Sequence, residues 1–322
     1  VEKVANLYAP VQRELEQVEA ALDSIKKVDF PMLSEMLGHV FHGGGKKLRP
    51  ALALLSGCFG EYRPHLLVPL ATSIEVLHTA ALVHDDVIDE APTRRGKPTA
   101  NSLFTNAPTV MLGDYLFAEA ADRVTRTGSI EVIQVFSQTL MAMTRGELGQ
   151  DMSAFDHSQT TASYFQRIGG KTASLFSAAT EGGAIISEAP EAWRRTLRDY
   201  GHNLGMAFQI VDDILDFTGD EEAMGKPIGS DLMQGTLTLP SLFLLERYPK
   251  GNPIEQLFRN RERGEHLARA IDMITSSDII PDSYRIAREF GDRASAALEP
   301  LSPAPARTSL AEIVGYVLER RS

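Results

Sequence analysis

The stretch LVHDDVIDEAPTRRG, residues 82–96, sets Asp85, Asp86 and Asp89 at the end of an apolar run and follows them with Arg94, Arg95 and Gly96. Three carboxylates within five positions repel one another, so the cluster lowers stability unless a cation answers it. A second stretch, FQIVDDILDFTGD at residues 208–220, repeats the spacing at Asp212, Asp213 and Asp216. Residues four apart share one helix face, so Asp85 with Asp89 and Asp212 with Asp216 each form a paired-carboxylate edge, flanked by Asp86 and Asp213. Pro92 and Gly219 mark the ends of the two helices and place the acids at a mouth. There the carboxylates meet the unfavourable end of the helix dipole, a placement that a hard divalent cation resolves.

Outward from these motifs, apolar residues recur at helical spacing in VANLYAPVQRELEQVEAAL, SIEVIQVFSQTLMAM and LAEIVGYVLERR, and alternating runs are scarce. Turn residues at GEYRP, SEAPE, YPKGNP and LSPAPA leave helix-length segments between them. The fold class read from this pattern is all-α, and residues 1–322 are read as a single domain.

The chain has 322 residues, 43% of them hydrophobic, enough for a sizeable core. Its net charge of -11 argues against a nucleic-acid partner. The single cysteine, Cys58, excludes an internal disulfide and a cysteine-based metal cage, and it fits a cytoplasmic location. The opening segment reads as an amphipathic helix, and no stretch is read as long and apolar enough to span a bilayer.

Oxygen ligands without nearby Cys or His pairs favour magnesium or calcium over zinc. The calcium-loop pattern is missing around both clusters, whereas magnesium suits a few carboxylates, retained waters and substrate phosphates. Two facing acidic edges of this kind hold a polyphosphate through bridging Mg2+.

The motifs GGGKKLRP, IEVLHTAALVHDDVIDEAPTRRG, GGKTASLF, GMAFQIVDDILDFTGD and GKPIGSDL, in this order along nearly the whole chain, resemble the trans-type isoprenyl diphosphate synthases, or polyprenyl synthetases. The resemblance implies an isoprenoid-synthase-like helical bundle around a deep central cavity, a homodimer, and a reaction that ionises an allylic diphosphate so that isopentenyl diphosphate adds to the resulting cation. Carried over by position, Asp85, Asp86, Asp89, Asp212 and Asp216 are the implied metal-holding acids, with Asp213 the weakest of the second motif. Arg94, Lys171, Thr172 and Lys226 are the implied contacts to the allylic diphosphate, and Lys46, Arg49, His78 and Arg95 those to isopentenyl diphosphate. Gln209 stands one turn before Asp213 as a polar contact near the reacting group; with Lys171 and Lys226 it makes up the implied catalytic set. No side-chain base is nominated, because released diphosphate takes the proton. The family's usual lysine before TLP is Thr236 here.

Ala80 and Ala81 lie one turn below the first motif, where short-chain members place a bulky residue, so the resemblance implies a long-chain product. A deeper wall is expected near Leu140 and Met143, and product release implies a peripheral membrane contact. Three alternatives stand beside this reading: a geranylgeranyl or farnesyl diphosphate synthase, a terpene cyclase, and a silent regulatory subunit. A cyclase normally carries a different second metal motif, and a silent subunit loses acids or arginines that this chain keeps.

Overall fold

The structure is a computed structural model that describes residues 7–42, 45–94, 96–221, 227–259 and 263–320. Its helices are α1 (Gln12–Ile25), α2 (Pro31–Val40), α3 (Leu48–Ser56), α4 (Pro64–Ile88), α5 (Ala100–Phe104), α6 (Asn106–Thr125), α7 (Ile130–Met152) and α8 (Thr161–Ile168). After a π-helical turn at Gly169–Ala173 come α9 (Ser174–Ile186), α10 (Glu191–Thr218), α11 (Ser230–Met233), α12 (Leu239–Arg247), α13 (Pro253–Arg259), α14 (Arg263–Thr275), α15 (Ile279–Ala297) and α16 (Pro305–Glu319). Among the described residues the only strands are Thr93–Arg94 and Lys97–Pro98, a hairpin turning through Gly96 at φ 72°. The all-α reading therefore holds.

Helix α4 begins with Pro64 at its first position, where a missing N–H costs nothing. Residues 70–77 of this helix are buried on every side, the mark of a core helix. Its polar members are satisfied: Ser73 Oγ donates to Ala120 O at 2.8 Å, and Glu75 accepts from Lys47 Nζ at 3.1 Å. Full burial of Leu70, Ile74 and Leu77 contributes about 1.5–3 kcal/mol each. One expectation is corrected here, because α4 is long and apolar enough to cross a membrane by length and composition. Its burial assigns that apolarity to the core.

Helix α10 runs through both hydrophobic clusters of the molecule. Leu197, Tyr200 and Leu204 pack with α9, while Ile210, Val211 and Ile214 pack with α12, α14 and α15. Two glycines set the spacing around the π turn. A Cβ on Gly146 of α7 would lie 2.6 Å from Lys171 N, and one on Gly205 of α10 would lie 2.6 Å from Ala173 Cα. Only glycine lets both helices close on this turn, and that contact positions the site.

Candidate active site

Both aspartate motifs lie where their helices end. Asp85 and Asp86 occupy the last turn of α4 with Asp89 as its C-cap, and Asp212, Asp213 and Asp216 occupy the last two turns of α10. The hairpin after α4 folds Arg94 back, and its Nε donates to Asp86 Oδ1 at 2.7 Å. Burial pushes Asp85 up to about 7, opposed by the charges of Lys171 and Arg94 and reinforced by Glu147 and Asp89. Asp89 is also raised, first by its own burial.

Lys171 sits in the π turn and ion-pairs with Glu147 Oε2 at 2.5 Å. Burial by itself would lower its pKa, but Asp85 and Glu147 outweigh that cost and hold it above the usual lysine value. Asp231 raises the pKa of Asp89 on one side and of Asp213 on the other, so its carboxylate lies within electrostatic reach of both motifs. Asp231 thus couples the two motifs electrostatically, and Lys171 stands beside the first.

The acids are not equivalent. Asp212 keeps a carboxylate that is 56% exposed and accepts from Arg320 Nη2 at 2.7 Å. Asp216 is fully buried and accepts from Ser230 Oγ at 3.0 Å and Asp231 N at 3.3 Å. Asp86 is 7% exposed and engaged by Arg94. Asp86 and Asp216, expected at a metal, are here engaged by protein donors from the loops that follow their helices. Asp85, Asp89 and Asp212 are the more accessible carboxylates of the two motifs.

Asp213 is buried and pushed up to about 7, first by burial and then by Asp231. Tyr164 OH donates to its Oδ2 at 2.6 Å and Gln209 Nε2 to its Oδ1 at 2.8 Å. Gln209 Oε1 in turn accepts from Thr172 Oγ1 at 2.7 Å, so the expected neighbours Thr172 and Gln209 do meet.

The expected isopentenyl cations approach the same end of α10. Arg49 lies over the rings of Phe176 at 4.6 Å and Phe208 at 5.8 Å, and Phe208 adjoins Gln209. Lys46 lies 5.6 Å over Tyr316 and accepts at its carbonyl from Tyr8 OH at 3.0 Å. His78 is half-buried on α4, two turns below Asp85. Arg95 and Lys226 lie outside the described residues. Thr236 donates its N–H to Asp231 O at 2.9 Å, and Arg167 holds the next carbonyl, of Leu237. Ala80 has no exposed surface and Ala81 is half-buried against the core. Leu140 is half-buried and Met143 is 8% exposed, with both packed into the core.

Sequence reasoning missed Glu147, Tyr164, Asp231 and Arg320. Tyr164 carries no local signal, standing 49 residues before Asp213. Arg320 carries none, being 108 residues from Asp212.

The polyprenyl synthetase family model matches residues 30–274. The chain belongs to the polyprenyl synthetase family. Heptaprenyl diphosphate synthase component 2 of Bacillus subtilis is 37% identical over 314 residues, covering 98% of this chain and 90% of that protein. Among solved structures, a polyprenyl synthase from Caulobacter crescentus complexed with calcium and isoprenyl diphosphate has a TM-score of 0.94 at 32% identity, covering 99% of this chain and 98% of that one. A decaprenyl diphosphate synthase from Rhodobacter capsulatus has a TM-score of 0.92 at 35% identity, covering 99% of both chains. This polyprenyl synthetase is a prenyltransferase of the long-chain type with the isoprenoid synthase fold.

Proposed function

We propose that the chain condenses isopentenyl diphosphate with a short allylic diphosphate, repeatedly, to build an all-trans polyprenyl diphosphate longer than geranylgeranyl, using Mg2+ held by Asp85, Asp89 and Asp212. The observation that carries this reading is the pair of acidic motifs at the ends of α4 and α10, coupled through Asp231, with the half-buried Lys171 paired to Glu147 beside the first. Among the described residues no three of His, Cys, Asp and Glu converge tightly enough to cage a metal alone. That donor set suits magnesium, which takes the rest of its shell from water and phosphate. When bound, Mg2+ neutralises charge on the leaving diphosphate.

The chain's own groups do the rest. Lys171 and Arg94 add positive charge where the carbon–oxygen bond of the allylic diphosphate breaks. Arg49 and Lys46 hold the second diphosphate without metal, with Phe176 and Phe208 excluding water beside Arg49. The double bond of isopentenyl diphosphate attacks the allylic carbon, a carbon–carbon bond forms, and released diphosphate takes the proton that leaves. A terpene cyclase needs no second diphosphate site, so Lys46 and Arg49 favour elongation.

The working assembly is a homodimer. On α7, Met141, Leu148 and Met152 are exposed at intervals of seven and four, and on α6 Ala107, Met111, Asp114, Ala118 and Ala121 are exposed at alternating intervals of four and three. Such seams of apolar and small residues suit a second copy of the same face. The enzyme acts in the cytoplasm and releases its long hydrocarbon product at a membrane surface.

The test combines chelation with substitution. Metal removal abolishes turnover, and Asp85→Ala and Asp212→Ala each lower it by about a hundredfold or more. Near-normal turnover of both variants under stringent chelation would sink the proposal.

A further inference from the structure

Asp213 belongs to the second motif, but its buried carboxylate is taken up by protein donors, and the reaction outlined above leaves it without a task. Its carboxylate is 4% exposed at the residue level and is enclosed by two donors, the Tyr164 phenol at 2.6 Å and the Gln209 amide at 2.8 Å. Tyr164 has no exposed surface, and Arg167 stacks over its ring at 5.6 Å, fixing the phenol from behind. A carboxylate with both oxygens accepting dictates which end of a neighbouring amide it meets. Gln209 must turn Nε2 toward Asp213, and its Oε1 must then face Thr172. Because Oε1 can only accept, the Thr172 hydroxyl hydrogen is committed to it, at 2.7 Å.

We propose that Asp213, locked by Tyr164, is a positioning residue that fixes the hydrogen-bond direction Thr172→Gln209→Asp213, so that Thr172 turns oxygen lone pairs and not its hydroxyl hydrogen to the carbon that becomes cationic. This rests on the prenyl-transfer reading and gives the middle acid of the motif a role that needs no metal contact. The physical gain is a preorganised negative dipole end where positive charge develops. Reversing the chain would aim a hydroxyl hydrogen at the same carbon.

The reversal can be made by exchanging one oxygen for an amide nitrogen. In Asp213→Asn, the amide oxygen takes the Tyr164 phenol and the amide nitrogen faces Gln209. Gln209 then flips, its Nε2 donates to Thr172, and the Thr172 hydrogen swings into the site. The expected result is a single-turnover rate at saturating substrates and Mg2+ reduced about tenfold or more, set against the roughly hundredfold cost of losing one transition-state donor elsewhere. Apparent affinities for both diphosphates and for Mg2+ stay within about threefold, since no ligand contact is touched.

Tyr164→Phe alone keeps the direction and lowers the rate only slightly. The double variant Tyr164→Phe/Asp213→Asn frees the amide at position 213 to point its oxygen at Gln209 again and recovers several-fold of the rate lost in Asp213→Asn. Recovery by a second deletion is not what damaged packing gives. Melting temperatures accompany each rate. If Asp213→Asn does not fold, Thr172→Val against Thr172→Ser decides: at saturating substrates the valine variant loses about tenfold more of the single-turnover rate than the serine variant. A double variant no faster than Asp213→Asn, a primary loss of Mg2+ affinity in Asp213→Asn, or an indifferent Thr172→Val overturns the proposal. Absence of chain elongation by the unmodified protein defeats the prenyl-transfer reading instead.

Discussion

Arg320 donates to the carboxylate of Asp212 at 2.7 Å while its guanidinium lies 3.9 Å over the ring of Phe208 and also donates to Phe208 O at 3.0 Å. A residue from the far end of the chain therefore neutralises the most exposed acid of the second motif. A metal that uses Asp212 has to displace it or share it. Replacing Arg320 with Ala is expected to tighten Mg2+ binding by the substrate-free protein about fivefold, the equivalent of roughly 1 kcal/mol for a pair exposed on one side. Calorimetric titration reads this directly, and an unchanged or weaker affinity contradicts it.

Lys47 enters α3 in the left-handed region at φ 49°, held by the buried Glu75 carboxylate at 3.1 Å. The pair thereby sets the loop that presents Lys46 and Arg49. Glu75→Gln strands the Lys47 charge in a partly dry setting and is expected to cost about 3 kcal/mol of stability. The KM for isopentenyl diphosphate should rise while that for the allylic substrate holds. Equal rises for both substrates count against separate sites.

Arg49→Ala tests the same separation at the contact itself. With its guanidinium over Phe176 and Phe208, Arg49 is placed to bind one diphosphate and not the metal edges. Its loss is expected to weaken isopentenyl diphosphate by about tenfold or more, as befits a hydrogen bond to a charged group. Titrating each substrate at saturating partner separates the effects.

The two alanines below the first motif part company. Ala80 is sealed in the core, so Ala80→Phe overpacks and is expected to cost about 1–3 kcal/mol, seen as a lowered melting temperature. Ala81 retains accessible surface, and Ala81→Phe is expected to shorten the products, since each helical turn of about 5 Å matches roughly one isoprene unit. An unaltered product distribution from Ala81→Phe removes this residue from the ruler.

Much of this was legible because helix ends and carboxylate spacing are local properties. Asp85, Asp86 and Asp89 close α4, and Asp212 to Asp216 close α10, where Pro92 and Gly219 marked the stops. Local spacing could not say which oxygens stay open. Arg94 reaches Asp86 through a hairpin, and Asp216 is covered by a turn fourteen residues later. The Lys171–Glu147 pair depends on Gly146 letting α7 touch the π turn, a packing fact without a periodicity. The apolarity of α4 told of burial but not of what buries it, and its bilayer-like length is masked by the polar residues set among the apolar ones.

The central claim is that this fold extends an allylic chain past the geranylgeranyl length. Its most direct test is to incubate the purified full chain with isopentenyl diphosphate, a farnesyl or geranylgeranyl starter and Mg2+, then size the extracted diphosphates by mass spectrometry. The account predicts a ladder of products adding one isoprene unit per step and accumulating beyond geranylgeranyl diphosphate, with none formed under chelation. Products that stop at farnesyl or geranylgeranyl diphosphate, or elongation that appears only when a second polypeptide is added, would contradict it.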